Sequence, residues 1–210
     1  MNIIFVKWGT KYSSEDVNNL FSNLKKYNNT YSYYCYTDNP QGLNKHIGVI
    51  WIPSSPILKK WWTKLRMFAQ EFPLEGECMF FDIDTVIKND PFKILDQVDF
   101  KKLTIIDCHW KKDPIYDRAT NYDVKINSSV ITWTAGDHVK LWDHFLTNKD
   151  YFLRKYVGID RFIVHENYSY NTFPDTYIQS FKYQKDINYE PAIITYEEVD
   201  FANRNIEPVS

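Results

Sequence analysis

Short apolar runs alternate with stretches whose apolar residues return every three or four positions, and the chain keeps this up through residue 87. Ile3–Val6 reads as a first strand. Ser13 or Ser14 then caps an amphipathic helix whose apolar face is Val17, Leu20, Phe21 and Leu24. Tyr31–Tyr36 is an aromatic strand that must turn at Thr37-Asp38-Asn39-Pro40. Val49–Ile52 is a third strand, stopped by Pro53, and Pro56 opens a second helix that buries Leu58, Trp61, Trp62, Leu65 and Phe68. Cys78-Met79-Phe80-Phe81 follows, the kind of run that a strand buried on both faces needs. Strands alternating with helices predict an α/β fold: one domain, a mostly parallel central sheet and helices on both faces.

Beyond residue 87 the pattern continues less regularly. Phe92–Leu95 predicts a short helix and Leu103–Ile106 a strand that delivers Asp107. A polar loop from Lys111 to Asp123 contains a turn at Asp113-Pro114. Ile126–Trp133 is a strand interrupted by Asn127-Ser128-Ser129, three polar residues that a purely structural strand would not favour. A helix after Gly136 carries Val139, Leu141, Trp142 and Phe145, and Gly158-Ile159-Asp160-Arg161 opens another that runs to His165, with Asp160 near its N-terminus. Thr176–Phe181 and Ala192–Thr195 are strand-like. The domain is therefore expected over residues 1–196, with a polar, mobile tail over 197–210.

Composition narrows the function classes. A chain of 210 residues, 44% hydrophobic and 18% aromatic, can build a sizeable core and has aromatic rings to spare for a binding cleft. A formal net charge of −2 gives no electrostatic reason to expect nucleic acid. No apolar segment approaches the ~20 residues of a membrane span, and the five apolar residues before Lys7 read as a strand and not a signal peptide. Three cysteines, Cys35, Cys78 and Cys108, are an odd number in apolar surroundings, which predicts reduced thiols in a cytoplasmic protein. The five histidines lack metal-ligand spacing.

The chemistry concentrates in Glu77–Pro91, ECMFFDIDTVIKNDP. Along a strand, side chains at i and i+2 share a face, so Asp82 and Asp84 point the same way as the strand ends. Two hard oxygen ligands on one side suit Mg²⁺ or Mn²⁺, with phosphates and water filling the remaining positions. Three readings fit: the DxD element of nucleotide-sugar glycosyltransferases, the opening motif of haloacid-dehalogenase-type phosphatases, or a strand end whose acids merely cap a turn. Ligands of α/β sheets sit outside the strands' carboxyl ends. Lys7 to Tyr12, Thr37-Asp38 and Asp82 to Asp84 all fall there.

Taken in order, these pieces resemble the metal-dependent GT-A glycosyltransferases of the glycogenin-like side, over most of residues 1–195. Val6-Lys7-Trp8-Gly9-Thr10-Lys11-Tyr12 resembles the first nucleotide-binding loop of that family and Thr37-Asp38 the second. The helix Trp61–Phe68 resembles the one whose lysine, here Lys64, faces the donor. Phe80-Phe81-Asp82-Ile83-Asp84 resembles the DxD strand, and Asn127-Ser128-Ser129-Val130 resembles the segment lining the sugar pocket. Gly158-Ile159-Asp160-Arg161 resembles Gly-Asp-Gln, and Pro174–Lys182 resembles the strand ending in Ser-Tyr-Lys.

The resemblance implies sugar transfer from a UDP-sugar with retention of configuration. It implies a divalent ion on Asp82 and Asp84, a donor site of Lys7, Trp8, Gly9, Tyr12, Thr37, Asp38, Lys64, Phe81, Ile83, Asn127, Ser128, Ser129 and Lys182, and a role for Asp160 at the donor sugar. Two departures stand out. Arg161 replaces the usual Gln, and the family's closing His-Gly-x-Pro-Lys-Pro element is missing, which leaves Glu197 near the place of its metal-binding His.

The phosphatase reading expects its acidic strand near the start of the core, whereas some 80 residues precede Asp82 here. A nucleotidyltransferase would need more than the single glycine of Lys7–Lys11, and a non-catalytic nucleotide-sugar-binding relative is the third rival. Two neighbouring carboxylates repel each other, so losing either acid is expected to leave fold stability intact.

Overall fold

The computed structural model describes residues 1–53, 58, 60–110, 124–181 and 187–196. The first strand, β1 (Asn2–Lys7), leads into helix α1 (Ser14–Lys25), then β2 (Ser32–Thr37) and β3 (Ile47–Trp51). A 3-10 helix, Lys60–Phe68, crosses to β4 (Glu77–Phe81), and the short β5 (Val86–Ile87) follows. After a 3-10 turn, Leu95–Gln97, come β6 (Thr104–Asp107) and the long β7 (Ile126–Thr134). Three helices succeed it, α2 (Val139–Thr147), α3 (Lys149–Lys155) and α4 (Ile159–His165). The strands β8 (Asn171–Thr172), β9 (Ile178–Ser180) and β10 (Ile193–Thr195) complete the described chain.

Seven strands form the central sheet in the order β3-β2-β1-β4-β7-β6-β8, and a second sheet of three is ordered β5-β10-β9. In the central sheet β2–β3, β1–β2, β1–β4 and β6–β8 pair in parallel, while β7 runs antiparallel to both its neighbours. The mostly parallel α/β sheet expected from the alternation is the one observed, with β4 in its middle.

Period-two alternation divides the core into two faces. Ile3 and Phe5 of β1, with Met79 and Phe81 of β4, pack under α1 through Val17, Leu20, Phe21 and Leu24. Ile4, Cys78 and Phe80 face the other way, into a larger cluster with Trp62, Leu65 and Phe68 of the 3-10 helix and with α2 to α4. Helices therefore cover both faces, and β1 and β4 are buried on each side, which is why they read as unbroken apolar runs.

The helix ends explain themselves locally. Ser13 caps α1: its Oγ accepts from the Asp16 N–H at 3.1 Å, and the Asp16 carboxylate accepts from the Ser13 N–H at 2.7 Å. Of the helix expected from Pro56, the described part, Lys60–Phe68, is a 3-10 helix, and Pro56 itself lies outside the described residues. The short helix expected at Phe92–Leu95 falls three residues later, because Asp90 and Phe92 form a side-chain turn first, with the Phe92 N–H on Asp90 Oδ1 at 2.9 Å. Helix α3 and the two-residue strands β5 and β8 went unread; such short elements carry too few residues to show a period. The Asp113-Pro114 turn and the tail from Glu197 lie outside the described residues.

Candidate active site

The chain builds β1, then β2 and β3 on one side of it, and returns to place β4 on the other. That reversal is a topological switch point, and sheets of this kind receive ligands in the crevice outside the carboxyl ends of the strands at such a point, here β1 and β4. The loop after β1 and the acidic segment after β4 face each other across it.

Strand β4 stops at Phe81, one residue before the first acid. The Asp82 N–H still extends the ladder, donating to Ser129 C=O at 2.7 Å, but the Thr85 N–H then closes back onto Asp82 C=O at 3.1 Å. Asp82-Ile83-Asp84-Thr85 is thus a tight turn. The i and i+2 strand geometry expected for the two carboxylates is corrected by this turn, and β5 leaves it to pair antiparallel with β10. Phe81 and Ile83 are buried in the core, so only their backbone could meet a ligand.

Each carboxylate is held by a side chain from another element. Lys64, whose side chain is only 6% exposed, places its ammonium 3.1 Å from both oxygens of Asp82 and 3.1 Å from Ser128 C=O and Ser128 Oγ. The ammonium also lies over the face of Phe80, 5.1 Å from the ring centre. Trp61, Lys64, Leu65 and Phe68 recur at i, i+3, i+4 and i+7, so a lysine on the buried stripe was the available sign of an inward charge. The pairing also overturns the expectation that Asp82 can be lost without cost, because its loss strands a buried ammonium. Asp84 Oδ2 accepts from the Tyr12 hydroxyl at 2.6 Å, a short charge-assisted bond across the crevice.

Asn127-Ser128-Ser129 interrupts β7 for a structural reason. Ile105 pairs with Ile131, but the next residue, Ile106, pairs with Asn127, so β7 bulges between these points. The bulge lets Ser128 turn both its carbonyl and its hydroxyl to Lys64, while Asn127 Oδ1 takes the Ser129 N–H at 2.7 Å. Ser128 and Ser129 are buried beside the acidic turn.

At the ends of β1 and β2, Gly9 adopts φ +67°, a left-handed conformation that favours glycine, and donates its N–H to Asp38 Oδ2 at 3.0 Å. Lys7 is buried and spends its ammonium on Asn39 C=O at 3.1 Å, which the Thr37 hydroxyl also reaches. Both Lys7 and Thr37 therefore brace the loop after β2. Trp8 is half-buried against the larger core cluster, and Asp38 is exposed.

Asp160 lies in the first turn of α4. That helix starts where Gly158 meets the Trp61 indole, whose Nε1 donates to Val157 C=O, so the element bearing Asp160 is docked on the one bearing Lys64. A Cβ on Gly158 would come 3.3 Å from the indole, closer than ordinary contact. Lys182 and Glu197 lie outside the described residues.

Among the described residues no group of three or more His, Cys, Asp or Glu could hold a metal ion. The donor chemistry of the acidic turn nonetheless fits a divalent ion that brings its own ligands. A carboxylate offers about four lone-pair positions, more than the two that Lys64 takes from Asp82. Hard oxygens in this number match Mg²⁺ or Mn²⁺, which retain water and phosphate ligands.

No family model matches the chain, and no curated protein matches it by sequence. Solved structures do share its fold. The galactosyltransferase LgtC, in complex with donor and acceptor sugar analogues, superposes with a TM-score of 0.64 at 11% identity, over 93% of this chain and 87% of LgtC. The glycosyltransferase GlyE of Streptococcus pneumoniae TIGR4 gives 0.64 at 15% identity, over 95% of this chain, which spans only 55% of GlyE. A glycosyltransferase involved in glycosylation of the major capsid of PBCV-1 gives 0.54 at 10% identity, over 92% of this chain and 93% of that one. The chain has the GT-A-like α/β fold.

Proposed function

We propose that this protein is a glycosyltransferase that moves a sugar from a nucleotide-diphosphate donor, UDP-sugar before others, to an acceptor, with retention of configuration and with Mn²⁺ or Mg²⁺. The observation that carries the reading is the Asp82-Ile83-Asp84 turn at the crevice beside β1, with Asp82 clamped to Lys64 and Ser128 and Asp84 bound by Tyr12. The fold shared with three glycosyltransferases supports it.

In this reading the Gly9–Asp38 bond closes the nucleotide loop, and the rings of Trp8 and Tyr12 offer surfaces on which a base can stack. Asn127, Ser128 and Ser129, bulged toward the acidic turn, face the donor sugar, and Asp160 meets its hydroxyls from the start of α4. Lys7 and Thr37 act from behind by fixing the loop that carries Asp38. Lys64 holds the Asp82 carboxylate in place, and Lys182 offsets phosphate charge. A divalent ion held by Asp82 and Asp84 would supply Lewis-acid stabilisation to the departing diphosphate. With two protein carboxylates the ion is held chiefly through the nucleotide.

No observation favours the phosphatase reading, since the acidic turn follows the fourth strand of the sheet and not the first. Among the described residues no helix is long and apolar enough to cross a membrane, which agrees with a cytoplasmic enzyme without requiring one.

The test measures release of UDP from UDP-sugars with MnCl₂ or with EDTA, beside phosphate release from p-nitrophenyl phosphate. Mn²⁺-dependent UDP release, lost in Asp84→Ala while the protein stays folded, supports the proposal. Phosphatase turnover refutes it, and nucleotide binding without turnover leaves the binding-protein rival in its place.

A further inference from the structure

The parallel pairing of β1 with β4 brings the loop after β1 beside the turn after β4, and the hydrogen bond from Tyr12 to Asp84 ties the two together. Tyr12 belongs to the loop after β1, and Asp84 to the turn after β4. The tyrosine is held from both directions. Upstream, the Gly9 N–H is fixed on Asp38 at 3.0 Å; immediately downstream, Ser13 and Asp16 close the cap of α1. The Lys11 ammonium sits 4.8 Å from the centre of the Tyr12 ring and restrains it further. A phenol locked by its neighbours that donates to a carboxylate at 2.6 Å is a preorganised partner, because it fixes which way the carboxylate presents its lone pairs.

We infer that Tyr12 is a positioning residue for Asp84, so that the loop receiving the nucleotide also sets the affinity of the acidic turn for a divalent ion. The inference rests on the glycosyltransferase reading and adds to it a specific coupling between the two ligands. A nucleotide seated on the loop after β1 favours the same loop position that holds Asp84 for the ion. By linkage, the ion raises nucleotide affinity by the same factor.

The variant is Tyr12→Phe in the full chain, which keeps the ring and deletes only the donor. Three quantities are measured for wild type and variant: Mn²⁺ affinity with saturating UDP, UDP affinity in EDTA, and the thermal midpoint. The expected result is a fall of roughly tenfold or more in Mn²⁺ affinity, as for other residues that orient a metal ligand. UDP affinity in EDTA and the thermal midpoint should stay close to wild type. Unchanged Mn²⁺ affinity overturns the inference. So does a parallel loss of Mn²⁺ and metal-free UDP binding, which would make the hydroxyl a nucleotide contact or a loop anchor. A wild-type protein that binds no UDP removes the glycosyltransferase reading and this one with it, whereas UDP binding with an unaltered Mn²⁺ response removes only this one.

Discussion

Replacing Lys64 with methionine should destabilise the protein through its partner as much as through itself. Methionine preserves an unbranched apolar side chain, but it withdraws the ammonium from Asp82, from the carbonyl and hydroxyl of Ser128 and from the face of Phe80. Breaking a fully buried ion pair from one side costs about 3–5 kcal/mol, whereas an exposed pair is worth about 0–1 kcal/mol. Here the lysine side chain is 6% exposed and the aspartate 32%, so water can reach one partner and not the other. The case therefore falls between the limits, at about 2–3 kcal/mol. For a chain of this size each kcal/mol moves the thermal midpoint by about 2–4 °C, which gives a fall of roughly 4–12 °C. Asp82→Ala should cost a similar amount by leaving the ammonium buried, and the double variant should cost less than the two singles summed. Urea titration followed by tryptophan fluorescence supplies the three free energies. Effects that add to within about 0.5 kcal/mol would refute the pairing.

Two further predictions test the scaffold. Gly48 lies across from Tyr34, and an added Cβ would meet that ring at 2.7 Å, so Gly48→Ala should cost about 1–3 kcal/mol in urea titration; in a Tyr34→Ala background the penalty should largely vanish. Burial pushes the Cys35 thiol up to about 12 and the Cys78 thiol up to about 11, so both stay protonated in the folded protein at pH values where the unfolded chain has already ionised. Their contribution is complete below the ordinary thiol range and is lost as pH rises through about 9 to 12, so urea midpoints should fall across that window; Cys35→Ala and Cys78→Ala should each flatten the fall, and a profile indifferent to both would count against the assignment.

The first half of the fold was legible because its signals are local and strong. The runs at β1 and β4 are apolar without interruption since both faces are covered, and the Ser13 cap follows from side-chain chemistry within four residues. The acidic turn was visible as a motif, but its conformation was not. Whether Asp82 continues the strand depends on Ser129, which accepts its N–H, and on the bulge that places Ser129 there. Lys64 was noticed for a charge facing a ligand, while its partners, Asp82 and Ser128, come from elements that only the folded sheet brings beside it. The same holds for Tyr12, whose ring suggested stacking and whose hydroxyl found Asp84.

Because β7 enters the sheet antiparallel, it is its first residues, and not its last, that reach the crevice. The Lys64 contact to Ser128 closes over 64 residues of chain and the Tyr12 contact to Asp84 over 72. During refolding, α1 can form from its own cap and the parallel trio β1-β2-β3 from neighbouring segments. The crevice must wait until β4 has found β1 and β7 has found β4, pairings between distant segments whose loop-closure entropy is met late. Ligand binding should therefore return after helical circular dichroism when the protein refolds.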